Sequence, residues 1–130
     1  CLVLTEERGP EFFINPTLVE LTDDVIGMFE GCLSIEGLRA WVPRCARVRV
    51  EALDRFGERK ILELGGFGAI VVQHEFDHLD GVLFVDRCDT RTLSFLDEYR
   101  RFGPLGLDDD PEEEVDEEPD GVQDSQDDTD

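Results

Sequence analysis

The sequence has few basic residues and no long hydrophobic run. Lysine and arginine together number 12 against 33 aspartates and glutamates, giving a formal net charge of −21 over 130 residues. The basic residues form no stripe, so we expect no direct binding of nucleic acid. No apolar run approaches the ~20 residues of a membrane-spanning helix, and the first residues do not have the pattern of a signal peptide. We therefore expect a cytoplasmic protein that does not enter a membrane.

The cysteines are too few and too scattered for a disulfide or zinc framework. Cys1, Cys32, Cys45 and Cys88 include no CxxC pair. Four cysteines could form two disulfides, but reduced thiols in a cytoplasmic protein fit the spacing better. One of these thiols is then free to act as a metal ligand.

The negative charge is concentrated at the carboxyl end. Residues 107–130 hold 14 acidic residues and no basic one. Such a segment cannot bury enough apolar surface to offset the entropy lost on ordering, so we predict a disordered acidic tail. A solubility tail is the simpler interpretation, and a partner-binding segment is the alternative. The length of residues 1–106 fits one domain.

The hydrophobic pattern predicts an α+β fold. Arg47–Leu53 alternates charged and apolar residues, as in a half-exposed strand, and a hairpin connects it to a second strand at Lys60–Leu64. Further short strands are predicted at 1–4, 11–14, 17–21 and 38–42, with a loop at 23–31 and an extended segment at 82–85. We therefore expect mixed, mainly antiparallel β-sheets.

Two helices complete the predicted fold. Phe67–Leu79 carries apolar residues at helical spacing and almost all round, which is typical of a buried helix. Thr90–Phe102 is predicted to be a C-terminal amphipathic helix, capped by Asp89 or Thr90. Its inward residues would be Leu93, Leu96 and Tyr99.

Both histidines of the chain lie in one pentapeptide of the buried helix, His74-Glu75-Phe76-Asp77-His78. Residues four apart share a helix face, so the two imidazoles can hold one metal ion. An acid beside the first histidine, Glu75, can act as a base on water that the metal activates. The alternative is a pair of buried histidines that are only hydrogen-bonded, at a desolvation cost.

A third metal ligand is needed, and Cys32 is the first candidate. It lies in Glu30-Gly31-Cys32-Leu33-Ser34, a short glycine-containing segment. Two histidines and one thiolate would leave a coordination position open for water, as in catalytic sites. A lone cysteine can also be a small buried hydrophobe. In a zinc metallopeptidase the third ligand would instead be a downstream glutamate, here Glu98.

Two segments resemble the signature motifs of the peptide deformylase family. EGCLS at 30–34 and QHEFDH at 73–78 are similar to the family's second and third motifs, and the flanks INP, RA, VPR and HLDGVLFVDR agree. The resemblance covers roughly residues 1–87. It implies a hydrolase that removes the formyl group from N-formyl-Met nascent polypeptides and releases formate. We expect it to work as a monomer near the ribosome.

The resemblance also implies a role for each matching residue. Cys32, His74 and His78 would bind one divalent metal, natively Fe2+ and often replaced by Zn2+, Ni2+ or Co2+. Glu75 would be the general acid and base, and the Leu33 N–H would bind the oxyanion. The residues implied to contact the peptide are Gly31, Arg39, Phe67, Ile70 and Val71. For the last three, plain core packing is the alternative.

The family's first motif, GxGLAAxQ, has no counterpart in the sequence. Its glutamine donates a hydrogen bond to the oxyanion, and loss of one such donor costs ~10²–10³ in rate. We therefore expect an N-terminally truncated, partial catalytic domain that alone deformylates poorly. A non-catalytic remnant that still binds metal or peptide is the alternative function.

Overall fold

A computed structural model describes residues 1–5 and 9–103. The predicted acidic tail, 107–130, lies outside these residues. The described part contains eight strands: β1 Leu2–Thr5, β2 Gly9–Phe12, β3 Ile14–Glu20, β4 Val25–Cys32, β5 Ile35–Cys45, β6 Arg47–Leu53, β7 Arg59–Gly65 and β8 Ser94–Phe95. The helices are α1 Gly66–Leu79, α2 Phe84–Arg87 and α3 Leu96–Phe102, with a 3-10 turn at Thr90–Thr92. The predicted α+β class is confirmed.

The strands form three antiparallel groups. β1 pairs with β2, the order β3-β6-β7 makes one sheet, and β4-β5-β8 makes another. In the first sheet β6 has the predicted bounds, and every second residue is buried: Val48, Val50 and Ala52. These side chains join Phe13 and residues of α1 in the main core. The alternation of charged and apolar residues therefore predicted both the strand and its buried face.

The predicted loop at 23–31 is wrong, because residues 25–32 form strand β4. It pairs with β5 from Val25↔Cys45 to Cys32↔Ile35. Within this strand Gly27 has a packing role: a Cβ there would overlap the ring of Trp41 on the neighbouring strand. A glycine inside a strand can mark this kind of close approach.

Helix α1 confirms the predicted helix. It contains the HExxH sequence and packs against the main core. Ala69, Val72 and Phe76 are buried in the main core, and Phe76 meets Phe13 edge to face at 5.4 Å between ring centroids. The expectation of burial all round is wrong at the ends, where Phe67 and Leu79 are 65% and 57% exposed. None of the helices within 1–5 and 9–103 has the length and apolar character needed to cross a membrane.

The C-terminal segment differs from both predictions made for it. Residues 84–87 form α2 instead of an extended segment, and the single helix expected at 90–102 is divided into a 3-10 turn, β8 and α3. Thr92 is the cause, since its fully buried hydroxyl accepts the Trp41 N–H at 2.8 Å and donates to the Asp89 carbonyl at 2.6 Å. Leu93, expected to face inward, is 41% exposed.

Candidate metal centre and catalytic site

The structure brings together three side chains from two distant parts of the sequence. Cys32 is the last residue of β4, and His74 and His78 lie one turn apart on α1. One ligand atom from each residue lies within 4.8 Å of the other two. Within residues 1–5 and 9–103, these three residues form the cluster of metal-ligating side chains that is close enough to hold one ion. Glu98 does not belong to this cluster.

The distances and donor atoms of this group fit a metal ion. The Cys32 Sγ lies 3.4 Å from the His78 Nε2. Ligands that share a tetrahedral zinc-sized ion, at bond lengths of ~2.3 Å to sulfur and ~2.0–2.1 Å to nitrogen, stand about 3.3–3.6 Å apart. The centroids of the two imidazole rings are 5.1 Å apart, and the ring planes are nearly perpendicular, at 81°. Three such ligands leave one position of a tetrahedral ion open.

A buried carboxylate orients the first histidine. The Nδ1 of His74 donates to the Glu30 Oε1 at 2.7 Å, and the Glu30 side chain is 5% exposed. This bond fixes the tautomer and leaves the Nε2 of His74 available as a ligand. Carboxylates commonly hold metal-binding histidines in this way.

Glu30 is in turn held by Arg44, from β5. The guanidinium donates from Nε and Nη2 to both carboxylate oxygens of Glu30, each at 2.8 Å. Its Nη1 donates to Asp77 at 2.8 Å, and Asp77 also accepts from Arg87. This chain of charges, Glu30–Arg44–Asp77–Arg87, runs from the candidate metal site to the surface. Each buried charge therefore has a partner of opposite sign, as burial requires.

The same contacts change the protonation of the site. Burial raises the pKa of Glu30, but the hydrogen bonds from Arg44 and His74 outweigh it and leave that pKa lowered. The hydrogen bond to Glu30 raises the pKa of His74 above its ordinary value, against the effect of burial. For Cys32, burial raises the thiol pKa, while hydrogen bonds from Ser34 and His74 lower it more. The thiol is therefore shifted toward the thiolate that binds metals.

Glu75 lies beside the first histidine ligand and is half-buried on α1. Its charge contributes to the raised pKa of His74, which places its carboxylate in the electrostatic environment of the site. The role of Glu75 as general acid and base stays a prediction.

The predicted peptide-binding residues fall into two groups. Gly31, Leu33 and Arg39 line one groove together with Cys32. Leu33, in the turn between β4 and β5, is 94% exposed. The guanidinium of Arg39 lies against Gly31, where a Cβ would overlap it. An alanine at this position would require the flexible end of the Arg39 side chain to move.

The second group, on α1, is divided by burial. Phe67 is exposed, Ile70 is buried with 6% of its surface accessible, and Val71 packs against the main core. These three residues are absent from the lining of the groove that holds Leu33 and Arg39. Val71 packs against the core, which was the alternative to peptide contact given in the sequence analysis.

Sequence reasoning assigned no role to Glu30 or Arg44. A signal for Glu30 was present, because it is an acidic residue two positions before the candidate ligand Cys32. Prediction of a loop at 23–31 concealed that signal. Arg44 had no comparable local signal, since its partners come from β4 and α1.

Comparison with known proteins agrees with this site. The fold and the donor set are those of a metal-dependent HExxH protein. The sequence profile of the polypeptide deformylase family matches residues 3–93, which include all three candidate ligands and Glu75. The chain belongs to the polypeptide deformylase family, whose members are metal dependent.

Individual relatives support the same assignment. The chain is 42% identical over 92 residues to peptide deformylase 2 of Nostoc sp., covering 71% of this chain and 51% of that protein. It is 52% identical over 85 residues to a peptide deformylase of Neisseria meningitidis, covering 65% and 50%. The chain thus spans about half the length of the curated relatives it matches.

Solved structures extend the likeness to the fold. A Synechococcus elongatus peptide deformylase in complex with actinonin superposes with a TM-score of 0.64 at 40% identity, over 69% of this chain and 49% of that one. The Thermotoga maritima peptide deformylase gives a TM-score of 0.61 at 40% identity, over 63% and 56%.

Proposed function

We propose that this protein hydrolyses the N-formyl group from the N-terminal methionine of newly made polypeptides and releases formate. The observation that carries the proposal is the convergence of Cys32, His74 and His78 in a member of the deformylase family. A divalent ion held there supplies Lewis acidity, which activates water and polarises a carbonyl group.

The residues of the chain would do the remaining work. Glu75 accepts a proton from the attacking water and returns it to the leaving amine. The Leu33 N–H donates to the oxyanion of the tetrahedral intermediate. The backbone of Gly31 pairs with the extended peptide as an added strand, and Arg39 contacts its distal part. The hydrogen bond to Glu30 keeps the ring of His74 in the orientation that a metal ligand needs.

The wall of the methionine pocket is assigned to α1. We infer that Phe67 and Ile70 contact the methionine side chain and that Val71 supports them from the core. In support, Phe67 presents 65% of its surface and Ile70 follows it by one helical turn. Residues 1–106 are proposed as the catalytic domain, and the acidic segment 107–130 lies outside the described residues.

The identity of the metal and the cellular setting are part of the proposal. A ligand set with one thiolate and two imidazoles suits Fe2+, Zn2+, Ni2+ or Co2+, and we propose Fe2+ as the native ion. The protein acts as a monomer in the cytoplasm on chains near the ribosome. Metal analysis of protein purified without oxygen, and its sedimentation, test these statements.

The decisive experiment measures formate released from formyl-Met-Ala-Ala by the metal-loaded protein. N-acetyl-Met-Ala-Ala is the matched control peptide and should not be hydrolysed. Glu75→Gln should keep metal content and peptide binding but lose ~10²–10⁴ in kcat. Glu98→Gln, on α3 and outside the group of candidate metal ligands, should leave kcat unchanged. Absence of formate from the metal-loaded parent would contradict the proposed function.

A further inference from the structure

The groove beside the candidate metal site has a wall that comes from the C-terminal segment. Its volume is about 610 Å3, and its lining includes Cys32, Leu33, Arg39 and Leu96. A volume of this size is within the range of ~300–1,000 Å3 typical of ligand pockets. Leu96 is the first residue of α3 and lies 64 positions after Cys32 in the sequence. The groove therefore joins the reaction centre to an element outside both signature motifs.

Leu96 is held firmly in this position. It directly follows β8, in which Ser94 pairs with Arg39 and Phe95 with Leu38 of β5. Upstream, the Asp89 N–H donates to the Trp41 carbonyl at 2.9 Å, which ties the same segment to β5 again. These bonds hold the backbone that carries Leu96, and a preorganised backbone lowers the cost of presenting its side chain to a ligand.

Tyr99 fixes the rest of the helix. Its ring lies 5.3 Å from that of Phe29, on β4, at an interplanar angle of 39°. Helix α3 is therefore attached both to β4 and, through β8, to β5. The two strands that carry Gly31 and Arg39 are thus the same two that position Leu96.

The lining of the groove indicates the chemistry of its occupant. Leu33 and Leu96 supply apolar side chains, and Gly31 and Gly37 contribute only backbone to the lining. Glu36 and Arg39 contribute one negative and one positive charge, so the groove has no net preference for a charged side chain. An apolar side chain next to backbone able to pair with an extended peptide fits this lining best.

We propose that Leu96 is a specificity-determining residue: it contacts an apolar side chain of the peptide at the second or third residue, downstream of the formyl-methionine. This inference rests on the proposed deformylase function. It gives the segment after α2 a role in choosing among nascent chains, beyond its role in the fold. The contact covers one side of an open groove, so we expect a preference of ~3–10-fold for leucine over alanine at one of these positions.

The test compares three peptides: formyl-Met-Ala-Ala, formyl-Met-Leu-Ala and formyl-Met-Ala-Leu. The full chain loaded with Zn2+ is assayed for formate release, and affinity is measured by calorimetry on Glu75→Gln protein, which needs no turnover. Leu96→Ala should abolish most of the preference for leucine, measured as the ratio of kcat/KM for the leucine peptide to kcat/KM for formyl-Met-Ala-Ala. Leu93→Ala, the same change three residues away and outside the groove lining, should retain the full preference.

A second variant excludes a merely structural effect. Leu96→Lys should reverse the selectivity, so that a peptide with aspartate at the chosen position binds better than one with leucine. A retained leucine preference in Leu96→Ala, or its absence in the parent at both positions, would overturn the inference. Failure of the proposed function has a different signature: peptides bind with the expected preference, but the parent releases no formate.

Discussion

Replacing Arg44 with methionine removes the positive charge that links two buried carboxylates. The Arg44 side chain is 3% exposed, and the side chains of Glu30 and Asp77 are 5% and 14% exposed. Methionine restores much of the buried volume but none of the three hydrogen bonds. Among the described residues, Glu30 then keeps the hydrogen bond from His74, and Asp77 keeps its ion pair with Arg87.

The expected loss is ~3–5 kcal/mol of unfolding free energy, because removal of one member of a buried ion pair leaves an uncompensated charge. Three charge-assisted hydrogen bonds at ~1.5–3 kcal/mol each would give a larger sum. The expected loss is smaller than that sum because each carboxylate keeps one partner in the variant. Against a total stability of ~5–15 kcal/mol, this is a large fraction.

The control is a strand arginine that lies at the surface, on β7 of the other three-stranded sheet. Arg59 pairs with Glu51 at 3.0 Å, but its side chain is 68% exposed. Arg59→Met should therefore cost ~1 kcal/mol or less. Urea unfolding at a fixed Zn2+ concentration, followed by fluorescence of Trp41, the single tryptophan, gives both values. An Arg44→Met loss no larger than that of Arg59→Met would refute the reasoning.

Three further predictions concern the metal ligands and the C-terminal segment. Glu30→Gln should weaken Zn2+ affinity ~10–100-fold by competition with a chelating dye, whereas the exposed Glu36→Gln should not change it. Thr92→Val should lower the unfolding free energy by ~1–3 kcal/mol, because it leaves a buried N–H unpaired, and Thr90→Val at the exposed neighbouring position should be nearly neutral. Glu98→Ala should leave Zn2+ affinity unchanged; a loss like that of a ligand variant would favour the metallopeptidase arrangement instead.

Local sequence patterns predicted the elements whose environment is uniform along their length. Charged and apolar residues alternate along β6 because one face of the strand meets the core and the other meets solvent. This alternation predicted both ends of the strand. The two histidines of α1 could be placed on one face because helical geometry fixes that relation. No local pattern places Cys32 beside the two histidines, because that contact depends on the fold. The resemblance to the family motifs implied that the three residues bind one metal.

Tertiary contacts decided the parts that sequence patterns missed. The segment predicted as a loop is a strand because it pairs with β5, and Gly27 within it leaves room for the ring of Trp41. Thr92 lies in a stretch with helical periodicity, yet its hydroxyl bonds to the backbone of β5 and divides the expected helix. The Glu30–Arg44 pair joins adjacent strands and is not visible in either segment alone.

X-ray absorption spectroscopy of the Zn2+-loaded chain tests the central claim most directly. If Cys32, His74 and His78 share one ion, the zinc shell should contain one sulfur at ~2.3 Å and two imidazole nitrogens at ~2.0–2.1 Å, with a fourth light atom. Cys32→Ser should remove the sulfur contribution, and Cys45→Ser, at a thiol buried in the core, should retain it. A zinc shell without sulfur in the parent protein would contradict the account.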